Sequence, residues 1–573
     1  MGTDFQVPIM RSKAIDSKTI FCITSPRTPF KSIPEIALLD EELHGCIWDK
    51  ESQKKFYYLL RDRDFFESDN AKEPKEPELA GRDRINRLPK ALGFVQLPVI
   101  GLTEAGKELL TSNNKEEILL RQMLKFQLPS PYHPLGKKAA SFWVKPYLEI
   151  LRLIRVMGTL SFDELQIFAM QVIDYRMFDD VVKKIQRFRI GKQKYVGKYA
   201  AYKLQVISKE VSEIFEEEIK TGNLKTRESK TATVASFITK KANNLRDYAD
   251  AATRYFRATG LIKVSAIGKS LSILPDKIKD VDYILSTIPR DPVYVNEQKS
   301  YEAYLWNPSL PKLLTDDREM ILSKLKNEFN IIPDKNLSIN QLKDILNAQI
   351  EKRKEDRISQ QVVQIKNYKL YNDIEETFNN LNSTFEPSLF FEWNTWRAMT
   401  MLDGGTIKAN LKFDDEGNPM NTALGKMADI ECYYDDFDVI VEVSLSSGQL
   451  QFKMEGEPVP RHIGIHKQQT NKTTYCFFIA PTINSATIAH FYSLYLSNIE
   501  MYGGKCNIIP LTLDTFRKML GDAFNASKRP APSNIKRLFD TSNTIAKKCL
   551  VEDKSEMDWY EGITKVANNW LSA

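Results

Sequence analysis

Histidine is scarce in this 573-residue chain: five in all, and no H-E-x-x-H among them. Histidine-rich metal chemistry is thereby disfavoured, and any catalytic metal is expected to be a hard, oxygen-ligated ion such as Mg²⁺. The six cysteines (Cys22, Cys46, Cys432, Cys476, Cys506 and Cys549) form no C-x-x-C pair. That argues against a zinc ribbon or a disulfide framework and fits reduced, buried thiols. No run of eighteen apolar residues occurs, so no membrane span is expected. The opening "MGTDFQVPIMRSKAIDSK" lacks the apolar core of a signal peptide, and a cytoplasmic location is the expectation. Neither G-x-G-x-x-G nor G-x-x-x-x-G-K-[ST] appears, which speaks against a nucleotide cofactor.

What is present is an ordinary globular composition, 42% apolar and 27% charged, in a chain long enough for roughly three or four domains of ~150 residues. The net charge of +6 is modest, but it is unevenly spread. Residues 183–203, "KKIQRFRIGKQKYVGKYAAYK", are densely basic with interleaved aromatics, whereas 414–442, "DDEGNPMNTALGKMADIECYYDDFDVIVE", are acidic. A polyanion held by one part and a cation by the other is the simplest reading.

Periodicity divides the chain further. Residues 78–111 read as a helix, an extended pair and a second helix capped by Thr103, which is the grammar of a winged helix. A similar order recurs at 245–275, where an amphipathic helix stops at Gly260 and two short strands follow. Between them, 147–172 reads as two packed helices, the second capped by Ser161. Two winged-helix-like subdomains, 1–140 and 141–290, are expected. Residues 291–382, proline-punctuated and then helical with many charges and a thin apolar stripe, read as a helical linker. From 383 to 573, strands near 406–413, 428–433, 438–444, 474–481 and 506–513 alternate with helices in the order αβββαβαβ. The expected fold class is multidomain α+β with a C-terminal α/β domain.

That last domain holds the chemistry. The stretch "VIVEV", 439–443, reads as a buried strand, yet it contains Glu442, and a lone buried carboxylate costs several kcal/mol unless paired, protonated or holding a metal. Asp429 lies on the preceding strand, and antiparallel pairing brings the two together. Mg²⁺ bridging them would relieve their repulsion and polarise a phosphodiester. Glu455 on the following helix and Glu392 on the preceding one are placed to complete or tune the site, and Lys453 to neutralise charge on phosphate. Against this stands the plain alternative that a strand Asp and a strand Glu are solvent-facing or salt-bridged. The αβββαβ context favours the metal site, because it is the arrangement of the PD-(D/E)xK nuclease core. Two positions depart from that motif: Ala428 stands where its proline falls, and Ser444 where its lysine falls.

The stretch 428–462, "ADIECYYDDFDVIVEVSLSSGQLQFKMEGEPVPRH", resembles the AlwI-type restriction and nicking endonucleases, whose pattern lands on Asp429, Glu431, Glu442, Gln451, Lys453, Glu455, Glu457, Arg461 and His462. "FEWNTW" at 391–396 matches too, at Glu392, as do "SPRTP" (25–29), "RDR" (82–84), "ADAATRYFRATGL" (249–261) and "NPSLP" (307–311). The resemblance implies a type IIS enzyme. A winged-helix-like N-terminal region would bind double-stranded DNA at a short asymmetric site, and a PD-(D/E)xK-type nuclease domain would cut a few bases outside it. It implies Mg²⁺ held by Asp429, Glu442, Glu455 and the Val443 carbonyl, with Mn²⁺ substituting and Ca²⁺ supporting binding without cleavage. It also implies a transient homodimer or a small nuclease subunit for second-strand cleavage, no membrane partner, and a bacterial cytoplasm. The rival reading is a non-catalytic DNA-binding regulator with a degenerate nuclease domain; a third is a structure-selective repair nuclease.

Six arginines are candidates for DNA. Arg82, Arg84 and Arg87 suit guanine edges or phosphates, or else a solvated helix face with Asp83 as partner. Arg254 and Arg257, three apart, suit DNA while Tyr255 and Phe256 suit a core. Arg27 has a DNA role or a loop-capping one. His462 reads as a residue beside the carboxylates, and His466 as structural.

Overall fold

The computed structural model describes residues 14–63, 65, 74–225, 233–265, 269–334, 336–403, 405–422 and 427–571. They fall into two compact units, divided between Gln349 and Ile350, within the long helix Ile339–Lys366. Among the described residues, no helix is long and apolar enough to cross a membrane.

The first unit is mainly helical. Helix Pro77–Asn86 leads to a two-stranded ribbon, Val95–Gln96 against Gly101–Leu102, and then to helix Glu104–Thr111. Thr103 caps that helix by accepting from the Gly106 amide, and Ser161 forms a capping box with Glu164, as their sequence positions predict. Helix Val234–Arg257 is followed by strands Ile262–Val264 and Ser270–Ile273. Strand Thr159–Ser161 joins them as a third, a partner that local sequence does not announce.

The segment expected as a helical linker, 291–382, is shared between the two units. Its first part is tied down by Lys125, whose buried ammonium donates to the carbonyls of Leu305 and Asn307, both at 2.8 Å. Arg121 likewise bonds Asp316. Its last part supplies Ile365, Ile374, Phe378 and Leu381 to the core of the second unit. The apolar stripe, thin as it is, suffices to recruit the helix once a core is available. The helix also breaks at Tyr368, where φ is +57°.

The second unit is built around one five-stranded sheet. In chain order its elements are α1 (Pro387–Leu402), β1 (Thr406–Ala409), β2 (Ile430–Tyr433), β3 (Phe437–Val443), α2 (Gly448–Glu455), α3 (Pro458–Thr470), β4 (Thr473–Ala480), α4 (Ser485–Leu496), β5 (Asn507–Thr512), α5 (Leu513–Asn525), α6 (Pro532–Val551) and α7 (Glu556–Ala567). The spatial order is β5-β4-β3-β2-β1. β5, β4 and β3 run parallel, while β2 and β1 are antiparallel additions. The central strands are apolar on both faces, as a sheet covered by helices on each side requires, and β3 is buried from Phe437 through Glu442.

Candidate active site

The antiparallel ladder between β2 and β3 ends at the pair Val441–Ile430. Beyond it, the Val443 amide donates to Oδ2 of Asp429 at 2.8 Å. Asp429 therefore occupies the point where backbone pairing stops and a side chain takes over an orphan donor. Glu442 reaches the same end of the sheet from β3, with its side chain 8% exposed, and its Oε1 lies 2.7 Å from Nδ1 of His462. His462 comes from α3, which turns Val459, Ile463 and His466 inward on the same face; a spacing of three or four residues keeps all of them toward the sheet. Glu455 closes α2 and faces the Ser444 hydroxyl. Buried Glu392 comes from α1. Asp429, Val443, Ser444, Glu455 and Glu392 line one cleft of about 410 Å³, together with Ser388, Phe391, Leu445, Ser446 and Leu450.

The electrostatics of this cleft are lopsided. Among the described residues, His462 is the one basic side chain within ion-pair distance of Asp429, Glu442 or Glu455. Arg461, whose charge acts on Glu442, is itself held by Glu457 at 2.9 Å. Burial lifts the Asp429 carboxyl well above the usual carboxylate range; the charges of Glu442 and Glu455 add to the rise, and the Val443 amide opposes it. Burial and Glu455 likewise lift Glu442, and burial lifts Glu455. His462 is pushed down to about 4, by burial and then by Arg461. Its contact with Glu442 is a hydrogen bond, and burial works against a positive charge on the ring. Among the described residues, its Nε2 is buried without a hydrogen-bond partner. Among the described residues, no three His, Cys, Asp or Glu side chains stand as a ready-made metal cage: Asp429 is turned to an amide and Glu442 to an imidazole. The donor set itself, carboxylate oxygens freed of lysine and arginine, is that of a hard divalent cation.

Four residues earlier on β3, on the same face, lies a second acid. Asp438 is fully buried, 3.1 Å from Nε2 of His466 and 3.5 Å from the Lys472 ammonium. Its neighbour Glu431 accepts from Lys408 at 3.1 Å and from the Tyr433 hydroxyl at 2.7 Å. This pair is compensated, which supports the structural role expected for His466.

Lys453 departs from expectation. It is exposed on α2 and absent from the cleft lining. Two residues before Glu455 is about 200° around a helix, so the two side chains leave opposite faces. Ser388, Phe391, Ser446 and Leu450 also line the cleft; they come in two pairs, one on α1 and one at the start of α2, that only the fold brings together.

The candidate arginines of the first unit sort by the partners that hold them. Arg27, Arg82 and Arg87 are half-exposed and gather near three acids: Arg27 lies 3.9 Å from both Asp247 and Asp250, and Arg82 and Arg87 bond Asp83 at 3.0 and 2.8 Å. Arg87 also reaches the Thr24 hydroxyl at 3.4 Å, and Arg254 bonds Asp250 at 3.1 Å. Loop 24–27, helix Pro77–Asn86 and the end of helix Val234–Arg257 are thereby brought together. Arg84 is instead bonded at 2.6 Å to buried Glu35, and Arg257 is 5% exposed. The expectation of surface contact for Arg257 is corrected: the stripe that buries Tyr255 and Phe256 buries it too.

A cleft lined by carboxylates at the end of a mixed sheet has the makings of a hydrolytic enzyme. The chain belongs to the AlwI restriction endonuclease family, whose model matches residues 91–519. It is a type II site-specific deoxyribonuclease, and DNA is its partner. No curated protein matches it. Among solved structures it is similar to the small subunit of the heterodimeric restriction endonuclease R.BspD6I, at 25% identity over 35% of this chain and 98% of that one, TM-score 0.29. It is also similar to the BpuJ1 endonuclease binding domain in complex with modified DNA, at 13% identity over 52% of this chain and all of that one, TM-score 0.32. The restriction endonuclease FokI is similar at 10% identity over 91% and 99%, TM-score 0.22. Likenesses this slight bear no weight for fold or mechanism.

Proposed function

We propose that this endonuclease is a Mg²⁺-dependent type IIS restriction or strand-specific nicking enzyme, with a PD-(D/E)xK-type nuclease domain and winged-helix-like recognition subdomains. One observation carries the reading: half-buried Asp429 and Glu455 line one cleft beside buried Glu442, and among the described residues no lysine or arginine lies within ion-pair distance of the three. A fold keeps such a cluster at a cost in stability, and a hard divalent cation is the partner that relieves it. Asp429 and Glu442 would hold the ion with Glu455 and the Val443 carbonyl, and when bound it supplies a Lewis acid for a phosphate oxygen and a more acidic water. Mn²⁺ substitutes, and Ca²⁺ supports binding without cleavage.

The chain's own groups do the rest. Ser444 cannot serve as a base, so Glu455 would take the proton of the attacking water on the carboxylate oxygen it does not lend to the ion. His462 holds Glu442 in place, and Glu392 orients water at the opposite wall. Lys453, exposed and away from the cleft, contributes charge to the DNA backbone only. Arg27, Arg82, Arg87 and Arg254 make up the recognition patch, exchanging aspartates for phosphates or guanines on binding. One such site cuts one strand, so second-strand cleavage takes a transient homodimer or a small subunit.

The test is a supercoiled-plasmid digest with Mg²⁺ by wild type, Asp429→Ala and Glu442→Ala. Open-circle or linear product from wild type alone supports the reading, and the ratio of the two products separates nicking from double-strand cutting. Equal cleavage by all three proteins would falsify it.

A further inference from the structure

Between Lys183 and Lys203 there are eight lysines and arginines and no acid. In the first unit this stretch forms a helical hairpin: Phe178–Lys194 runs out, Tyr199–Ile214 runs back, and four residues turn between them. The base is built as a core, with Ile185, Phe188, Ile207 and Val211 buried. Most of its cations are also spoken for: Lys184 bonds Glu210 at 2.7 Å, Arg189 bonds Glu164 at 2.7 Å, and Lys203 bonds Asp163, while exposed Arg187 reaches only the Lys183 carbonyl at 3.4 Å. The tip is different. Residues 192–200 are all exposed, and Lys192, Lys194 and Lys198 have no acid within ion-pair distance among the described residues. The Lys192 ammonium rests 4.4 Å over the exposed Tyr199 ring, which holds it at the tip. Val196, at the apex, is 98% exposed.

Neither feature helps the chain fold. Three clustered cations repel one another, and an exposed valine gains nothing from water. Both are accounted for by a polyanion with apolar surface between its charges, which describes a DNA backbone with phosphates separated by deoxyribose. The apolar surface of the tip, Val196 with the partly exposed rings of Tyr195 and Tyr199, is small beside that of a membrane-seated amphipathic helix.

We propose that the hairpin tip is a second, sequence-independent grip on duplex DNA: Lys192, Lys194 and Lys198 neutralise phosphates, and Val196 rests on the sugar between them. The assignment rests on DNA as the partner and adds a grip apart from the arginine patch. Lysines, as point charges without a planar fork, fix affinity rather than base choice.

The experiment is fluorescence anisotropy of a labelled mixed-sequence duplex with full-length protein, titrated across salt without Mg²⁺, alongside the plasmid digest. Three variants are compared with wild type: K192A/K194A/K198A, K192R/K194R/K198R and V196S. The alanine variant is expected to bind at least about tenfold more weakly, with the slope of log affinity against log salt shallower by about 2.7, at ~0.9 for each phosphate no longer neutralised. The arginine variant should regain the slope, and V196S should bind about two- to threefold more weakly with the slope unchanged. If wild type binds and cuts DNA while the alanine variant keeps its affinity and slope, the proposal is overturned and the endonuclease reading stands. Tip-dependent binding to phosphatidylserine vesicles, with none to the duplex, would overturn it in favour of a membrane surface. A wild type that neither binds nor cuts DNA would overturn the endonuclease reading as well.

Discussion

Asp438 and Glu442 sit four residues apart on one face of one strand, each buried and each touching a histidine four residues along the same helix. Their surroundings differ in a single respect. Asp438 has His466 and the Lys472 ammonium, and neighbouring Glu431 has Lys408. Glu442 has the His462 imidazole, two more carboxylates nearby, and only the longer-range charge of Arg461, which Glu457 holds. The first arrangement is how a fold tolerates a buried acid. The second is how it keeps a site for something the chain does not supply. Burial is common to both, so compensation is what separates structure from function here.

The contrast can be broken most strongly by neutralising the two acids in turn. Asp429→Asn and Glu442→Gln should lower cleavage by at least about a thousandfold, ~4 kcal/mol of barrier, while raising the melting temperature of the metal-free protein. Asp438→Ala should do the reverse, costing about 3 kcal/mol by leaving His466 and Lys472 without their acid. That is a fall of roughly 6–12 °C for a unit of this size, with the cleavage rate of the folded fraction nearly unchanged. Melting curves and plasmid digests on the same samples read both. His462→Ala leaves Glu442 without its hydrogen bond, and a 10–100-fold loss of cleavage at fixed Mg²⁺ is expected, as for other groups that orient a ligand.

The pH dependence sharpens the contrast further. Asp429 and Glu442 have ordinary pKa values of 3.8 and 4.5, and both are raised in the folded state. A raised acid favours the folded state when protonated. Its contribution is therefore fully present below the unfolded value and is lost as pH climbs toward the folded one. Metal-free wild type should lose stability relative to Asp429→Asn as pH rises from about 4, the gap widening until the site is ionised. Thermal melts of the two proteins across pH would show parallel curves if the carboxylates carried no such strain. The smallest effect belongs to Lys453→Ala: at most about a threefold change in cleavage, confined to low salt, as suits an exposed charge.

Much of the second unit was legible because its signals are local or violate a rule. Glu442 breaks an apolar strand, Asp429 sits one short turn before it, and the order of strands and helices follows from apolar runs that parallel strands need. The caps at Thr103 and Ser161 read directly from their side chains. What escaped is what only tertiary contact decides. Arg84 looks like its neighbours Arg82 and Arg87 until Glu35, forty-nine residues earlier, claims it. Arg257 follows an exposed spacing but falls on the buried stripe. Residues 291–382 look like a connector because their apolar stripe is thin, and the cores that absorb them are assembled from distant sequence. Which histidine faces which acid likewise depends on how α3 lies on the sheet.

The central claim, that the cleft's carboxylates are kept uncompensated for a divalent cation, is tested most directly by melting wild type and Asp429→Asn over a Mg²⁺ titration without DNA. The account predicts that wild type starts lower and rises with Mg²⁺ by the linkage expected for binding to the folded state, while Asp429→Asn starts higher and stays flat. A wild type indifferent to Mg²⁺, or a variant that rises equally, would contradict it.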